Sequence, residues 1–169
     1  MIETKDLILD KARQEDWLPM YKNVWSRPES FRYMLPRLCP SESEARSRME
    51  RTIAFQSGSE HAYTVYLKPT REAIGFTGLN RLDSTTFEEA GICIGPDFWH
   101  RGYGWQILEA LIALAKTLGA KTFVYSSWEE NTASRSMAAK AGFQEFAREP
   151  HVREHDGKEY TLIKFKKHL

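Results

Sequence analysis

Residues 86–119, TFEEAGICIGPDFWHRGYGWQILEALIALAKTLG, decide the architecture. Thr86 to Ile94 is short, partly β-branched and apolar toward its end, as suits a largely buried strand. Gly95-Pro96 stops it, because proline cannot donate to a ladder and pushes the preceding residue toward an extended or turn conformation. From Gln106 onward, Ile107, Leu108, Leu111, Ile112, Leu114, Ala115 and Leu118 recur at helical spacing, and Gly119 supplies the stop. Between strand and helix lies Trp99-His100-Arg101-Gly102-Tyr103-Gly104. Its two glycines let the backbone approach a ligand closely and aim several free N–H groups at one point. The helix start adds partial positive charge, which makes the turn an anion site, most naturally for a phosphate or pyrophosphate. Dinucleotide folds and P-loops share this outline, and both fail on the letters. Ile107 stands where a dinucleotide fingerprint needs a third glycine, and no Gly-Lys-Ser/Thr triplet occurs. A glycine-rich turn that merely joins a strand to a core helix is the plain alternative.

Working outward, Ile2 to Asp10 reads as a first strand and Ala12 to Ser26 as a helix, with Trp17, Leu18, Tyr21, Val24 and Trp25 on one stripe. Phe31 to Pro36 is an aromatic loop. Ser41 with Glu44 forms a capping box that opens a second helix running to about Gln56. His61 to Lys68 and Ala73 to Arg81 read as a hairpin, continued by the strand at 86–94. After the long helix, Lys121 to Trp128 reads as a strand parallel to its predecessor, and Thr132 to Ala141 as a short helix stopped by Gly142. Gln144 to His151 and Lys158 to Lys166 form a last hairpin around Asp156-Gly157. The order β-α-α-β-β-β-α-β-α-β-β predicts an α/β chain of one domain, 1–169, with a mixed, mostly antiparallel sheet of about seven strands and helices on both faces.

Composition narrows the function. Lys plus Arg number 24 against 23 Asp plus Glu, a formal charge of +1, which argues against a general nucleic-acid binder. Cys39 and Cys93 are the only cysteines, so neither a disulfide framework nor a zinc site is implied. The first 30 residues lack an apolar secretory core, and no apolar run approaches a membrane span. These features predict a cytoplasmic protein with no metal, nucleic-acid or membrane partner. His151 and His155 stand four apart but flank an expected hairpin and have no further ligand at metal spacing, so they read as structural or solvated.

A second constellation lies at Glu130-Asn131-Thr132-Ala133-Ser134, followed by Ala141-Gly142-Phe143. Asn131 suits the N-cap of the short helix, with Ser134 at its third position. An N-cap Asn and a Gly-Phe after a helix are ordinary folding chemistry. The helix, however, follows a strand parallel to the one feeding the anion turn, and ligands in such sheets sit at the carboxyl ends of the strands. Both helix starts are therefore expected to face one crevice.

Pro96 to Gly104 resembles the acyl-CoA signature of the GNAT superfamily of N-acetyltransferases, Gln/Arg-x-x-Gly-x-Gly/Ala. Asn131-x-x-Ser134 with Gly142-Phe143 resembles its second CoA motif. Glu3-Thr4-Lys5-Asp6-Leu7-Ile8-Leu9 resembles the opening of the Rim-type branch, the ribosomal-protein N-terminal acetyltransferases and their relatives. Trp99 stands at the Gln/Arg position, as is usual in that branch, while Asp6 replaces its Arg and Gly91-Ile92 its Gly-Tyr.

The resemblance implies a GNAT fold, acetyl-CoA as co-substrate, and transfer of acetyl to a primary amine, either a protein N-terminus or a small molecule. A homodimer is compatible with it. The pyrophosphate would be held by N–H groups from about Arg101 through Gly102, Tyr103 and Gly104 to Trp105, with His100 and Arg101 adding side-chain charge. The pantetheine arm would pair with the backbone of Ile92, Cys93 and Ile94, and Asn131 would bond the same arm. An N–H near Ile94 would polarise the thioester carbonyl. Glu89 matches the acid before the Gly-Tyr position and is the first candidate for general base, with Glu88, Glu154 or a water relay behind it. Many relatives carry a proton-donating Tyr seven residues after the motif Asn. Ala138 stands there, which leaves Ser134 as the donor to the leaving thiolate. Cys93 reads as a small buried residue rather than a nucleophile. Trp25, Phe31, Tyr33 and Met34 mark the region of the acceptor cleft or, equally, core packing. A non-catalytic acyl-CoA sensor of the same fold is the alternative function.

Overall fold

One eight-stranded sheet carries the chain in the computed structural model, which describes every residue from Met1 to Leu169. The strands are β1 (Ile2–Glu3), β2 (Leu7–Asp10), β3 (Ala62–Leu67), β4 (Ala73–Arg81), β5 (Thr86–Ile94), β6 (Thr122–Trp128), β7 (Gln144–Arg153) and β8 (Lys158–His168). They lie in the order β1-β2-β3-β4-β5-β6-β8-β7, antiparallel throughout except for β5 beside β6. The helices are α1 (Trp17–Met20), α2 (Glu42–Gly58), α3 (Tyr103–Thr117) and α4 (Thr132–Lys140).

Two apolar layers sandwich the sheet. Leu7, Leu9, Ile74, Phe87, Phe123 and Ile163 meet Ile107, Leu108, Leu111 and Ala115 of α3 on one face, all without measurable exposure. Ile8, Tyr66, Ala73 and Cys93 meet Met20, Trp25, Ala45 and Met49 on the other. Alternation along the strands sends neighbouring residues to opposite layers. Burial of each large side chain contributes about 1.5–3 kcal/mol.

The first expected strand is two strands, so the count is eight rather than about seven. A tight turn at Thr4-Lys5-Asp6 separates them. The Thr4 N–H donates to the Leu7 carbonyl at 2.9 Å. Gln106 of α3 accepts from Thr4 Oγ1 at 2.7 Å and from the Asp6 N–H at 3.0 Å, while its Nε2 donates to the Asp6 carboxylate at 2.7 Å. Asp6, where the Rim-type opening has Arg, thus ties the first turn to α3. Gln106→Leu leaves the Asp6 carboxylate and N–H without these partners. It is expected to lower unfolding free energy by about 1–3 kcal/mol, with an unchanged m value in urea denaturation.

The first expected helix is also broken up. Gln14–Asp16 is 3₁₀, Trp17–Met20 is α, and Tyr21–Trp25 is a π turn. The wide turn closes when the Ser26 N–H and Oγ both donate to the Tyr21 carbonyl, at 3.0 and 2.7 Å. It aims the Asn23 amide at the Ala73 carbonyl and the Glu72 carboxylate. The second helix opens as expected, with Ser41 Oγ accepting from the Glu44 N–H at 3.2 Å.

Candidate active site

The parallel pair β5–β6 opens midway. Thr86, Phe87 and Glu88 pair with Thr122, Phe123 and Val124, and no pair follows, although β5 runs on to Ile94 and β6 to Trp128. The cause is a bulge in β5. Thr77 faces Ile92 and Leu79 faces Glu89, so two steps along β4 meet three along β5. The extra residue falls at Ala90-Gly91, where Gly91 takes φ 99°, a value open to glycine and strained for any other residue. Past the bulge, peptide groups alternate edges, so those of Ile92 and Ile94 share one edge. The Trp99 indole N–H donates to the Ile94 carbonyl at 2.7 Å, outside the β4 ladder. Ile92 and Ile94 therefore present backbone groups toward the gap, while the Cys93 side chain faces the α2 layer. Burial pushes the Cys93 thiol up to about 12, so it is protonated at neutral pH.

Glu89 sits at the apex of the opening, 7% exposed. One carboxylate oxygen accepts from the Gly91 N–H at 2.5 Å and the other from the Ser126 N–H of β6 at 3.3 Å. Burial pushes its pKa up to about 8; the two N–H groups oppose the rise and the charge of Glu88 adds to it. Glu88 points to the opposite face and accepts from Ser126 Oγ at 3.2 Å. Glu154 is exposed between β7 and β8.

At the far end of β5 the anion turn has the backbone its glycines suggest. Gly102 caps α3 at φ 76°, with no side chain on the helix start. The first helical bond there runs from the Gln106 N–H to the Gly102 carbonyl at 3.1 Å, leaving the amides of Gly102 to Trp105 without carbonyls a turn earlier. His100 also takes positive φ, 60°, and both His100 and Arg101 are exposed. Arg101 donates to the Asp97 carbonyl at 3.0 Å. Asp97 in turn pairs with Arg27 at 2.7 Å, which anchors the turn to the α1 side.

The second helix start lies alongside. Lys140 of α4 stands 4.7 Å over the Trp105 ring, and Met137 borders Gly104. Asn131 Oδ1 accepts from the Ser134 N–H at 3.1 Å, the expected cap, and so keeps only its amide N–H groups for another partner. Ser134 Oγ meets the Tyr125 hydroxyl at 2.7 Å. Tyr125 was not singled out by sequence. Its signal is alternation: Phe123, Tyr125 and Ser127 share the face of β6 turned to α4. Burial, then the charge of Glu89, raise its pKa above the ordinary phenol value, while Ser134 lowers it. Ala138, where many relatives carry Tyr, is fully buried in the core.

Residues 6–144 match the family model described as "Acetyltransferase (GNAT) domain". The chain belongs to the GNAT family. It is an acetyl-CoA-dependent N-acetyltransferase of that family with an α+β GNAT fold. A curated relative, the uncharacterized N-acetyltransferase p20 of Bacillus licheniformis, is 27% identical over 144 residues, 83% of this chain and 80% of that protein. Among solved structures, the microcin C7 self-immunity acetyltransferase MccE, in complex with acetyl-CoA and AMP, superposes with a TM-score of 0.80 at 18% identity, covering 98% of this chain and 94% of that one. RimL, a ribosomal L7/L12 α-N-protein acetyltransferase in complex with coenzyme A, gives 0.78 at 18%, covering 98% and 96%.

On the α1–α2 side of the sheet, Trp25 and Phe31 are core residues, 2% and 5% exposed. Tyr33 leans on Trp128 at 6.1 Å, and Met34 abuts Gly91. Arg153 holds this loop from the last hairpin by donating to the Phe31 and Met34 carbonyls at 2.9 and 3.0 Å. Two cavities flank the region. One, of about 640 Å³, lies by Trp128, Tyr160 and His151, and Tyr160 stacks on Trp128 at 3.8 Å. Two of its acids are already paired within the chain, Glu129 with Arg148 at 2.6 Å and Glu130 with Lys158 at 3.0 Å. The other, of about 250 Å³, lies between α2 and the sheet and reaches Thr77 and Ala90 beside the bulge. His151 stacks on Tyr160 and meets Glu149 at 3.3 Å, a structural setting. No helix is long and apolar enough to cross a membrane.

Proposed function

We propose that the chain transfers acetyl to a primary amine by direct attack in a ternary complex, with Glu89 as general base and Ser134 as donor to the departing sulfur. The observation that carries this reading is the gap opened between β5 and β6 by the bulge at Gly91, with a buried carboxylate at its apex. The residues fit acetyl-CoA. Free amides at Gly102–Trp105 suit a pyrophosphate, and His100 and Arg101 stand exposed beside them. The edge of Ile92 and Ile94 suits a chain of amides, as an added strand would. Acetyl-CoA supplies the activated acyl group.

An amine arrives protonated, with an unperturbed pKa of about 8 for an α-amine or about 10.4 for lysine. A carboxylate at about 8 is matched to removing that proton near neutral pH, directly or through one water. The nitrogen then bonds to the carbonyl carbon, the C–S bond breaks with its electron pair on sulfur, and the second proton shed by the new amide nitrogen is relayed through Ser134 Oγ to that sulfur, giving the free thiol. The Tyr125 phenol, raised above its ordinary pKa, stays protonated, and in this reading it is the donor of the pair with Ser134 Oγ. That orients the Ser134 proton outward, toward the sulfur. Tyr125 is thus a positioning residue that takes over from β6 part of the task other GNAT enzymes give to a Tyr on α4.

Ser134→Ala and Tyr125→Phe are each expected to lower kcat about tenfold with KM for acetyl-CoA little changed, and the double variant to be no worse than Ser134→Ala. Additive losses would separate the two hydroxyls. Free-thiol release from acetyl-CoA across a panel of amines and N-terminal peptides tests the whole reading. Amine-dependent release supports it, and coenzyme A binding without release under any amine would leave a sensor.

A further inference from the structure

The cavity between α2 and the sheet contains an arginine with no anion. Arg48 of α2 is half-buried, lies 4.9 Å over the Trp25 ring and 5.3 Å over Phe31, and donates one N–H to the Arg37 carbonyl at 2.9 Å. It forms no ion pair. Glu44, one turn earlier on its helix, is taken by Arg51 at 2.5 Å. None of the 18 residues lining the cavity is acidic, so no carboxylate of the chain reaches the guanidinium there. Burial lowers the Arg48 pKa, opposed first by the thiols Cys39 and Cys93 and only last by Glu44. A half-buried guanidinium with one N–H on a carbonyl and no carboxylate at hand has donors to spare, and a bidentate oxyanion is the ligand that best matches them. The same cavity ends at Thr77 and Ala90, beside the bulge that carries Glu89. An amine delivered to the bulge can therefore have its acid end at Arg48.

We infer that the acceptor is an amine that also bears a carboxylate, held by Arg48: an acidic amino acid, or a peptide N-terminus with an acidic side chain. The inference rests on the amine-acetylation reading above and narrows its acceptor. Trp25 and Phe31, which sequence could assign only to core or cleft, form the apolar bed that fixes the guanidinium plane.

Two measurements on the full chain separate the inference from the reading beneath it. The first is thermal stability with coenzyme A present, titrated with glutarate or with glutaramide, its uncharged isostere. Glutarate is expected to raise Tm and glutaramide not, and Arg48→Met to abolish the response. Arg48→Lys, which keeps the stem over the rings and one charge, retains part of it. Equal shifts from the two compounds, or an undiminished response in Arg48→Met, overturn the inference whether or not any amine is acetylated. The second is free-thiol release with matched acceptors. Glutamate is compared with glutaminamide, and an amidated tripeptide opening with glutamate with one opening with glutamine. Arg48→Met is expected to raise KM for the acidic member about 10- to 100-fold, with kcat within about threefold and the neutral member unaffected. A preference confined to the free amino acids assigns a small-molecule acceptor, and one confined to the peptides assigns a protein N-terminus. Release that ignores both carboxylate and Arg48 sinks the inference alone. No release from any amine, with the Arg48-dependent glutarate shift intact, sinks the acetylation reading and supports the carboxylate site.

Discussion

Glu89→Gln is expected to lower kcat/KM at pH 8 by about 10²–10⁴-fold, the usual worth of a positioned general base. Gln preserves the size of the side chain and one acceptor oxygen, which keeps the shorter bond from the Gly91 N–H at the cost of the longer one from Ser126, while the proton acceptor is lost. The pH profile makes the test specific. Burial holds the wild-type carboxyl at about 8, so the base form is the minor form at pH 7. Activity should rise about tenfold per pH unit below that value and level off above it. With a lysine-type acceptor, whose own ionisation lies well above this value at about 10.4, the limb at about 8 should be gone in Glu89→Gln. Stability runs the other way. A carboxyl whose folded pKa lies above its unfolded value stabilises the fold fully below the unfolded pKa. That contribution is lost as pH rises through about 8. Glu89→Gln should therefore be at least as stable as wild type at pH 9, so a lost activity there is not lost folding. An unchanged limb in the variant would mean that Glu89 is not the base.

Gly91→Ala carries the second large effect. At φ 99° the backbone is outside the regions open to alanine, and a Cβ would stand 3.2 Å from the Met34 Cε. Met34 can swing aside; the torsion cannot be relieved without flattening the bulge. Strain of this kind costs about 1–3 kcal/mol. Relaxing it would move the Gly91 N–H from the Glu89 carboxylate and draw β5 back toward β6. A displacement of about 1 Å at a reacting group costs on the order of 100-fold in rate. The expected result is a folded protein with kcat down about 100-fold and a Tm a few degrees lower, measured by free-thiol release and calorimetry. Wild-type kcat in a folded Gly91→Ala protein would mean that the bulge does not set the geometry of transfer.

Much of the fold could be read from local chemistry. Ala73–Arg81 and Thr86–Ile94 begin and end where their turns and Gly95-Pro96 place them. Ser41 and Asn131 cap the helices that their hydroxyl and amide oxygens predict. What escaped depends on longer contacts. The break in the first strand is fixed by Gln106, about a hundred residues on, and nothing in IETKDLILD shows it. The π turn at Tyr21–Trp25 keeps nearly the same apolar stripe as an α-helix, so periodicity cannot distinguish them. At the site, the turn into α3 was legible because Gly102 acts on its own backbone. The bulge was half legible: Gly91 inside a strand is a hint, but the splay of β5 from β6 needs both strands in place. Tyr125 was hidden as a core aromatic, which it also is, packing on Phe143 at 5.7 Å. Arg48 was hidden as a surface charge on a helix, since only the folded chain shows that no acid reaches it.

A crystal structure of the chain with coenzyme A tests the central claim most directly, because it locates the nucleotide, the arm and the sulfur together. The expected density has pyrophosphate oxygens on the N–H groups of Gly102–Trp105, pantetheine amides on the backbone of Ile92 and Ile94, and sulfur beside Ser134 Oγ. Coenzyme A bound elsewhere, with the gap between β5 and β6 closed or left to solvent, would contradict it.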